Sequence, residues 1–192
     1  MKTVLFVPGF QENLQTRDYS KTINAIEARG YKVKFISINW RGTTIINWVK
    51  DLNLVYAKFD PKETVLAGFS YGAMTTFVTA TKRNPSELWL FSLSPYFSED
   101  VKSLHTKLAW IRDIGIRRVL AFEKLNFREL SKAIDCKVLL FAGGLELEKF
   151  PNLDRRIKSA HSLISNSELI LAAGVGHNVV DPKYINSIVN NI

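Results

Sequence analysis

The sequence of 192 residues contains one cysteine, three histidines and no long apolar run. The single cysteine, Cys136, cannot form an intrachain disulfide, and no Cys or His stands near it at the spacing of zinc ligands. No uncharged apolar stretch reaches the roughly 18–20 residues that a membrane-spanning helix requires. We therefore expect no disulfide framework, no metal site and no membrane span, and we predict a cytoplasmic location.

Clustered positive charge is also missing, although Lys and Arg number 26 against 18 Asp and Glu, a formal net charge of +8. The basic residues are spread along the chain without a long run. A nucleic-acid-binding protein would present a basic stripe or a recognised module, and the sequence has neither. We therefore expect no nucleic-acid partner, while attraction of anionic substrates or of lipid surfaces stays open.

Short apolar runs alternate with amphipathic stretches along the whole chain, whose length and 46% hydrophobic content fit one globular domain. Strands are predicted at Val4–Val7, Val33–Ile38, Thr64–Ala67, Leu88–Leu93, Lys137–Ala142 and Glu168–Ala172. Helices are predicted at Asp18–Arg29, Thr43–Phe59, Tyr71–Arg83, about Asn152–Ile164, and from Asp181-Pro182 onward. This alternation predicts an α/β protein, a three-layer doubly wound sandwich with a parallel sheet.

About forty residues between Pro95 and Lys137 interrupt the alternation of strands and helices. They contain apolar residues at helical spacing, Val101, Leu104, Leu108 and Ile111, and a similar pattern at 120–134. We predict a single domain over 1–192, with a helical cap insertion at about 96–136. The aromatic residues of the insertion are expected to form a small core rather than a substrate cage; they are Trp110, Phe122 and Phe127.

The segment Gly68-Phe69-Ser70-Tyr71-Gly72 stands between a predicted strand and a predicted helix. A serine at such a sharp turn takes a strained conformation, and the residues two before and two after it must be small. The turn places the hydroxyl at the carboxyl edge of the sheet, beside the positive end of the helix. Ser70 is therefore predicted to be a nucleophile, since a serine that only caps a helix needs neither glycine.

With this motif in its context, nearly the whole chain resembles the α/β-hydrolase family, whose catalytic residues follow in the order Ser, acid, His. The resemblance implies that His177 is the general base, because the Gly174–His177 loop follows the last predicted strand. It also implies an acid after the Lys137–Ala142 strand, where Glu146 is the first choice. Glu148 and Asp100 stay open as alternatives.

The family's oxyanion hole implies two backbone N–H donors, those of Tyr71, directly after the nucleophile, and of Phe10, in the loop after the first strand. Pro8 stands where the family commonly has a histidine. The two other histidines, His105 and His161, fall inside helical patterns and are expected to have no catalytic role. The chain begins with what would be the family's third strand, so the resemblance implies six parallel strands in the order 2-1-3-4-5-6.

The resemblance implies a carboxylesterase-like serine hydrolase that cleaves a small-molecule ester through Ser70, His177, Glu146 and an acyl-enzyme, without a cofactor. The same residues would serve a thioesterase, an amidase or peptidase, or an acyltransferase, and a non-catalytic binding protein of this fold is a further alternative. A dinucleotide-binding domain is excluded, because residues 8–11 do not begin a Gly-x-Gly-x-x-Gly turn. The sequence predicts neither the individual substrate nor the oligomeric state.

Overall fold

The computed structural model describes residues 1–101 and 107–192, and residues 107–109 by their backbone alone. Leu104, His105 and the side chain of Leu108 lie outside the described part. Six strands form one parallel sheet: β1 Thr3–Val7, β2 Lys32–Phe35, β3 Thr64–Phe69, β4 Glu87–Phe91, β5 Lys137–Gly143 and β6 Ser167–Ala172. Their order is β2-β1-β3-β4-β5-β6, which confirms the predicted sheet.

Helices cover both faces of this sheet. In chain order they are α1 Ser20–Glu27, α2 Ile45–Tyr56, α3 Tyr71–Arg83, α4 Ser98–Val101, α5 Lys107–Ile114, α6 Ile116–Phe122, α7 Phe127–Ser131, α8 Gly144–Lys149, α9 Pro151–Leu163 and α10 Pro182–Val189. Helices α1 and α10 pack together on one face, and α2, α3 and α9 pack on the other. The fold is therefore the three-layer sandwich that the sequence predicts.

The central strands are apolar at nearly every position because each face of the sheet carries its own core. In β4, Leu88 and Leu90 belong to the core beneath α2, α3 and α9, whereas Trp89 and Phe91 belong to the core beneath α1 and α10. All four side chains are fully buried. Both faces of the sheet are therefore packed against helices, and the loops that follow the strands begin at the carboxyl edge of this well-packed sheet.

Helices α4 to α7 occupy the stretch between β4 and β5. Trp110 stacks on Phe122 with ring centroids 5.9 Å apart, and Phe127 stacks on Phe77 of α3 with centroids 4.7 Å apart. All four rings are at least nine-tenths buried. The aromatic residues of this stretch therefore anchor its helices to the helical layer of the sandwich.

Arg118 of α6 ties the same stretch to the loop after β2. Its guanidinium donates to the backbone carbonyl of Trp40 at 2.6 Å and to that of Thr43 at 2.9 Å. A third bond, 2.6 Å long, reaches the carbonyl of Ile114 at the end of α5. A guanidinium presents its N–H donors in a fixed geometry, so that it can bond to three backbone carbonyls at once. A lysine would not reproduce this arrangement.

A buried ion pair joins α4 to α9. Asp100 and Arg156, whose side chains are 7% and 4% exposed, are joined by two hydrogen bonds of 2.7 and 2.9 Å. Asp100 also accepts from the backbone N–H of Phe97 at 3.1 Å, and the guanidinium lies 4.3 Å from the ring centroid of Phe127. Asp100 is therefore part of the packing between these helices.

Replacing Asp100 by alanine is expected to lower the free energy of unfolding by about 3–5 kcal/mol, because it leaves a buried guanidinium without this carboxylate. Urea denaturation measures the loss. Asp113→Ala is the control, since Asp113 is 65% exposed in its pair with Arg112, and should cost less than about 1 kcal/mol. Equal stability of the two variants would contradict a stabilising role for the buried pair.

Within residues 1–101 and 107–192, no helix is long and apolar enough to cross a membrane, and no three His, Cys, Asp or Glu residues are grouped closely enough to hold a metal ion. Cys136, just before β5, is half-buried, and burial raises the pKa of its thiol to about 11. The thiol is therefore protonated at neutral pH and is a weak nucleophile.

Candidate active site

Ser70 lies at the turn between β3 and α3 in a strained backbone conformation. Its φ of 57° and ψ of −116° lie outside the regions that residues with a side chain normally occupy. Such strain costs about 1–3 kcal/mol and persists only where the surrounding structure imposes it. The residue is 8% exposed, and its hydroxyl lies 3.1 Å from the hydroxyl of Ser94.

Close backbone contacts impose this turn and require both of its glycines. A Cβ on Gly68 would lie 2.4 Å from the carbonyl oxygen of Gly72, and a Cβ on Gly72 would lie 2.3 Å from the carbonyl oxygens of Val7 and Pro8. Both distances are too short for a Cβ atom, so a side chain at either position would clash with the backbone. The first turn of α3 therefore packs directly on the end of β1 and on the loop that follows it.

Replacing Gly72 by alanine is expected to lower the free energy of unfolding by about 2–4 kcal/mol, because the added methyl group forces two elements apart. Gly176→Ala is the matched control: a Cβ there meets no atom within 4 Å, so its stability should change by less than about 0.5 kcal/mol. Thermal unfolding of the two variants beside the wild type measures both effects. A fully stable Gly72→Ala protein would contradict the close approach.

His177 and Glu146 form a hydrogen-bonded pair beside Ser70. The Nδ1 of His177 bonds to one carboxylate oxygen of Glu146, and the other oxygen accepts from the Ser92 hydroxyl at 2.7 Å and from the Gly143 N–H at 3.1 Å. Glu146 is 1% exposed, whereas the His177 side chain is 36% exposed. A carboxylate on Nδ1 fixes the ring orientation and leaves Nε2 as the nitrogen that can exchange a proton.

Glu146 reaches His177 from the first turn of α8, which begins directly after β5. The Glu146 carboxylate accepts the backbone N–H of Gly143 at the start of this helix, which stabilises its first turn. Of the three candidate acids, Glu146 is the one in contact with His177. Glu148 is exposed, and Asp100 is paired with Arg156.

Ser92 and Tyr184 support the Glu146 carboxylate from inside the fold. Ser92, at the end of β4, has a φ of 51°, and its hydroxyl lies 3.0 Å from that of Tyr184. Burial raises the pKa of the Tyr184 phenol well above its ordinary value, so the phenol is a neutral hydroxyl. Sequence reasoning missed both residues, since neither the positive φ of Ser92 nor the burial of Tyr184 leaves a mark in the sequence.

The imidazole of His177 rests on an aromatic ring. It packs against Phe69 with ring centroids 4.6 Å apart and an angle of 34° between the planes. Arg17 lies over the same phenylalanine ring, 5.3 Å from its centroid, and donates to the side chain of Asn178 at 3.3 Å. Arg17 also pairs with Glu12 at 2.8 Å, so the histidine loop is joined to the loop after β1.

Phe10 and Tyr71, the two predicted oxyanion donors, lie side by side, with ring centroids 5.2 Å apart. Tyr71 is the first residue of α3, a position at which the backbone N–H has no acceptor within the helix. The guanidinium of Arg118 lies over the Phe10 ring, 5.0 Å from its centroid. Both residues thus belong to the edge of the sheet at which Ser70 stands.

Ser70 and His177 line one cavity of about 430 Å³. Residues 94–96, in the loop after β4, form part of its wall, and residues 149–153, at the junction of α8 and α9, form another part. This volume falls within the roughly 300–1,000 Å³ of small-molecule sites. The cavity is therefore large enough for a small substrate next to the Ser70 hydroxyl.

Two tyrosines form an aromatic part of the cavity wall. The rings of Tyr71 and Tyr96 stack with centroids 5.2 Å apart, and the Tyr71 hydroxyl accepts from the indole N–H of Trp110 at 3.2 Å. Burial raises the pKa of both phenols, that of Tyr71 well above its ordinary value. These two phenols are therefore uncharged at neutral pH.

Sequence reasoning also missed Ser94 and Lys149. The carboxyl ends of parallel strands meet at one edge of a sheet, so the position of Ser94-Pro95 after β4 is a signal that could have found Ser94. Lys149 has no such signal, because its place in the cavity depends on the break between α8 and α9 at Phe150.

No family model matches the chain, and no curated protein has a significantly similar sequence. Solved structures match it closely in fold. Est1E from Butyrivibrio proteoclasticus has a TM-score of 0.80 at 15% identity, covering 98% of this chain and 84% of its own. A lipase-esterase related protein from Clostridium acetobutylicum has a TM-score of 0.70 at 19% identity, with 100% and 94% covered.

The thioesterase domain from the curacin biosynthetic pathway is a further structural neighbour, with a TM-score of 0.69 at 16% identity, covering 99% of this chain and 91% of its own. At such low identities the likeness establishes the fold. The chain therefore has the α/β-hydrolase fold, and the resemblance seen in its sequence is confirmed at that level.

Proposed function

We propose that this protein is a serine hydrolase that cleaves a carboxylic ester of a small molecule, with Ser70 as nucleophile, His177 as general base and Glu146 as the acid. One arrangement carries the proposal: the strained Ser70 turn and His177 line the same cavity, and His177 is bonded to a buried carboxylate. We further propose that residues 1–192 form one hydrolase domain, with helices between about 96 and 136 as its cap.

In the first half of the reaction, Ser70 attacks the carbonyl carbon of the ester. Substrate binding turns the Ser70 hydroxyl from Ser94 toward Nε2 of His177, which accepts its proton as the new C–O bond forms. The Glu146 carboxylate stabilises the resulting imidazolium. The N–H groups of Tyr71 and Phe10 bind the negative oxygen of the tetrahedral intermediate.

In the second half, the intermediate collapses and His177 returns the proton to the departing alcohol, which leaves an acyl group on Ser70. A water molecule, deprotonated by His177, then attacks the acyl carbon. The carboxylic acid is released and the Ser70 hydroxyl is restored. Each step uses groups of the chain and water.

Labelling with a fluorophosphonate probe tests this proposal, with p-nitrophenyl esters of several acyl lengths assayed in parallel. The wild type should be labelled and Ser70→Ala should not. Ser94→Ala, which removes the neighbouring serine of the cavity, should keep the label. Folded wild-type protein that neither binds the probe nor turns over any ester would contradict the proposal and favour a non-catalytic binding role.

Thioester cleavage is the second candidate, because the thioesterase domain from the curacin pathway has the same fold over nearly the whole chain. The same catalytic groups would attack a thioester carbonyl. Acyl thioesters of matched chain length, assayed beside the oxygen esters, separate the two. A kcat/KM for the thioester that exceeds that for the oxygen ester at every chain length would favour a thioesterase.

A further inference from the structure

Among the described residues, the wall of the cavity beside Ser70 has one cationic side chain and no anionic one. Among the residues that the structure describes, Lys149 is the only Lys or Arg that lines it, and no Asp or Glu does. Lys149 is exposed, and it forms no ion pair with any described residue. Its ammonium group lies 5.5 Å from the ring centroid of Phe150, another lining residue.

The carboxylates close to Lys149 in the chain do not neutralise it within the cavity. Glu146 is buried and bonded to His177, and Glu148 is exposed and does not line the cavity. Asp154, on α9, is paired with Lys158 at 2.9 Å. Among the described residues, no carboxylate therefore pairs with the ammonium group of Lys149.

Lys149 and the proposed oxyanion donors follow different strands of the sheet. Lys149 is the last residue of α8, and α9 begins two residues later, with residues 151–153 of its first turn also lining the cavity. The positive end of the α9 dipole acts in the same direction as the ammonium group. Phe10 and Tyr71, whose N–H groups we assign to the oxyanion, follow β1 and β3, whereas Lys149 follows β5.

We infer that the substrate of this site is an ester that also carries a carboxylate remote from the scissile carbonyl, and that Lys149 is the residue that determines this specificity. The inference rests on the proposed function. A lysine is a compact, flexible point charge, so it accommodates a carboxylate on the acyl chain or on the alcohol. An uncharged aromatic wall of Tyr71 and Tyr96 contacts the remainder of the substrate.

Two pairs of esters test the inference, each pair differing by one carboxylate. Monophenyl adipate and phenyl hexanoate place the charge on the acyl side, and 4-acetoxybenzoate and 4-tolyl acetate place it on the alcohol side. The quantity measured is the ratio of kcat/KM for the charged ester to that for its neutral partner. It is compared between the wild type, Lys149→Gln, Lys149→Glu and the control Lys50→Gln.

We expect Lys149→Gln to lower the ratio about three- to tenfold in one of the pairs, mainly through KM, and Lys149→Glu to lower it further. The kcat/KM of the neutral esters should change less than about twofold. Lys50→Gln removes the same charge from an exposed site on α2 and should leave the ratio unchanged. The pair that responds identifies the side of the ester that carries the carboxylate.

Other results would overturn the inference. A ratio that is the same in all four proteins would show that Lys149 does not recognise the carboxylate of the substrate. Ser70-dependent hydrolysis of the neutral esters would in that case still support the proposed function. A ratio that falls as much in Lys50→Gln as in Lys149→Gln would show that the net charge of the protein, and not a specific site at Lys149, affects the charged esters. Wild-type protein without Ser70-dependent turnover of either neutral ester overturns the proposed function and the inference with it.

Discussion

Replacing Ser70 by alanine is expected to reduce ester turnover at least about 10⁴-fold while the protein stays folded. The change removes the attacking oxygen but keeps the Cβ atom, the backbone of the turn and the pair of His177 with Glu146. The kcat/KM for p-nitrophenyl butyrate measures the loss, and circular dichroism confirms the fold. An alanine variant that retained more than a few per cent of the activity would contradict the mechanism.

The same position links function to stability, because the residue that carries the proposed nucleophile also has a strained backbone conformation. Glycine adopts a φ of 57° with a ψ of −116° without steric cost. Relief of about 1–3 kcal/mol of strain exceeds the roughly 0.5–1 kcal/mol that glycine loses in chain entropy. Ser70→Gly should therefore be about 1 kcal/mol more stable than Ser70→Ala, and both lack the hydroxyl bond to Ser94.

Urea denaturation of the two Ser70 variants measures this difference directly. Both variants lack the hydroxyl and are expected to be inactive. The difference between their free energies of unfolding therefore reports the effect of the Cβ atom. A glycine variant less stable than the alanine variant would show that the turn carries no strain.

Replacing Glu146 by glutamine is expected to lower kcat about 10³- to 10⁴-fold, the second large effect. The amide has nearly the shape of the carboxylate, but it has no charge to stabilise the imidazolium. Its NH₂ group also cannot accept, whereas the native carboxylate accepts from Ser92 and Gly143 through one oxygen and bonds to His177 through the other. The histidine is then held in the wrong tautomer or released.

Glu148→Gln is the matched control for this prediction, since it makes the same chemical change two residues away on an exposed side chain. We expect its kcat to stay within about twofold of the wild type. Steady-state kinetics of both variants with one ester decide the assignment. A large loss in Glu148→Gln with full activity in Glu146→Gln would make Glu148 the acid.

The sequence by itself determined the elements that local pattern controls. Helix α3 spans Tyr71–Arg83 as predicted, because Gly68-x-Ser-x-Gly72 sets its start and Asn84-Pro85 ends it, with Asn84 at a φ of 45°. The order of the strands in the sheet was also predicted, because right-handed crossovers and the resemblance to the family together leave one order for the six strands. Strand β2 ends at Phe35 rather than Ile38, since at the sheet edge it pairs only with β1.

The tertiary structure decided which residues meet at the site. The sequence made Glu146 the first choice but left Glu148 open, and it is the helical turn after β5 that buries the first against His177 and exposes the second. Ser92 and Tyr184 are 92 residues apart, yet both support the same carboxylate. Such contacts depend on how neighbouring strands and their loops pack, a relation between distant parts of the chain that no local pattern of residues encodes.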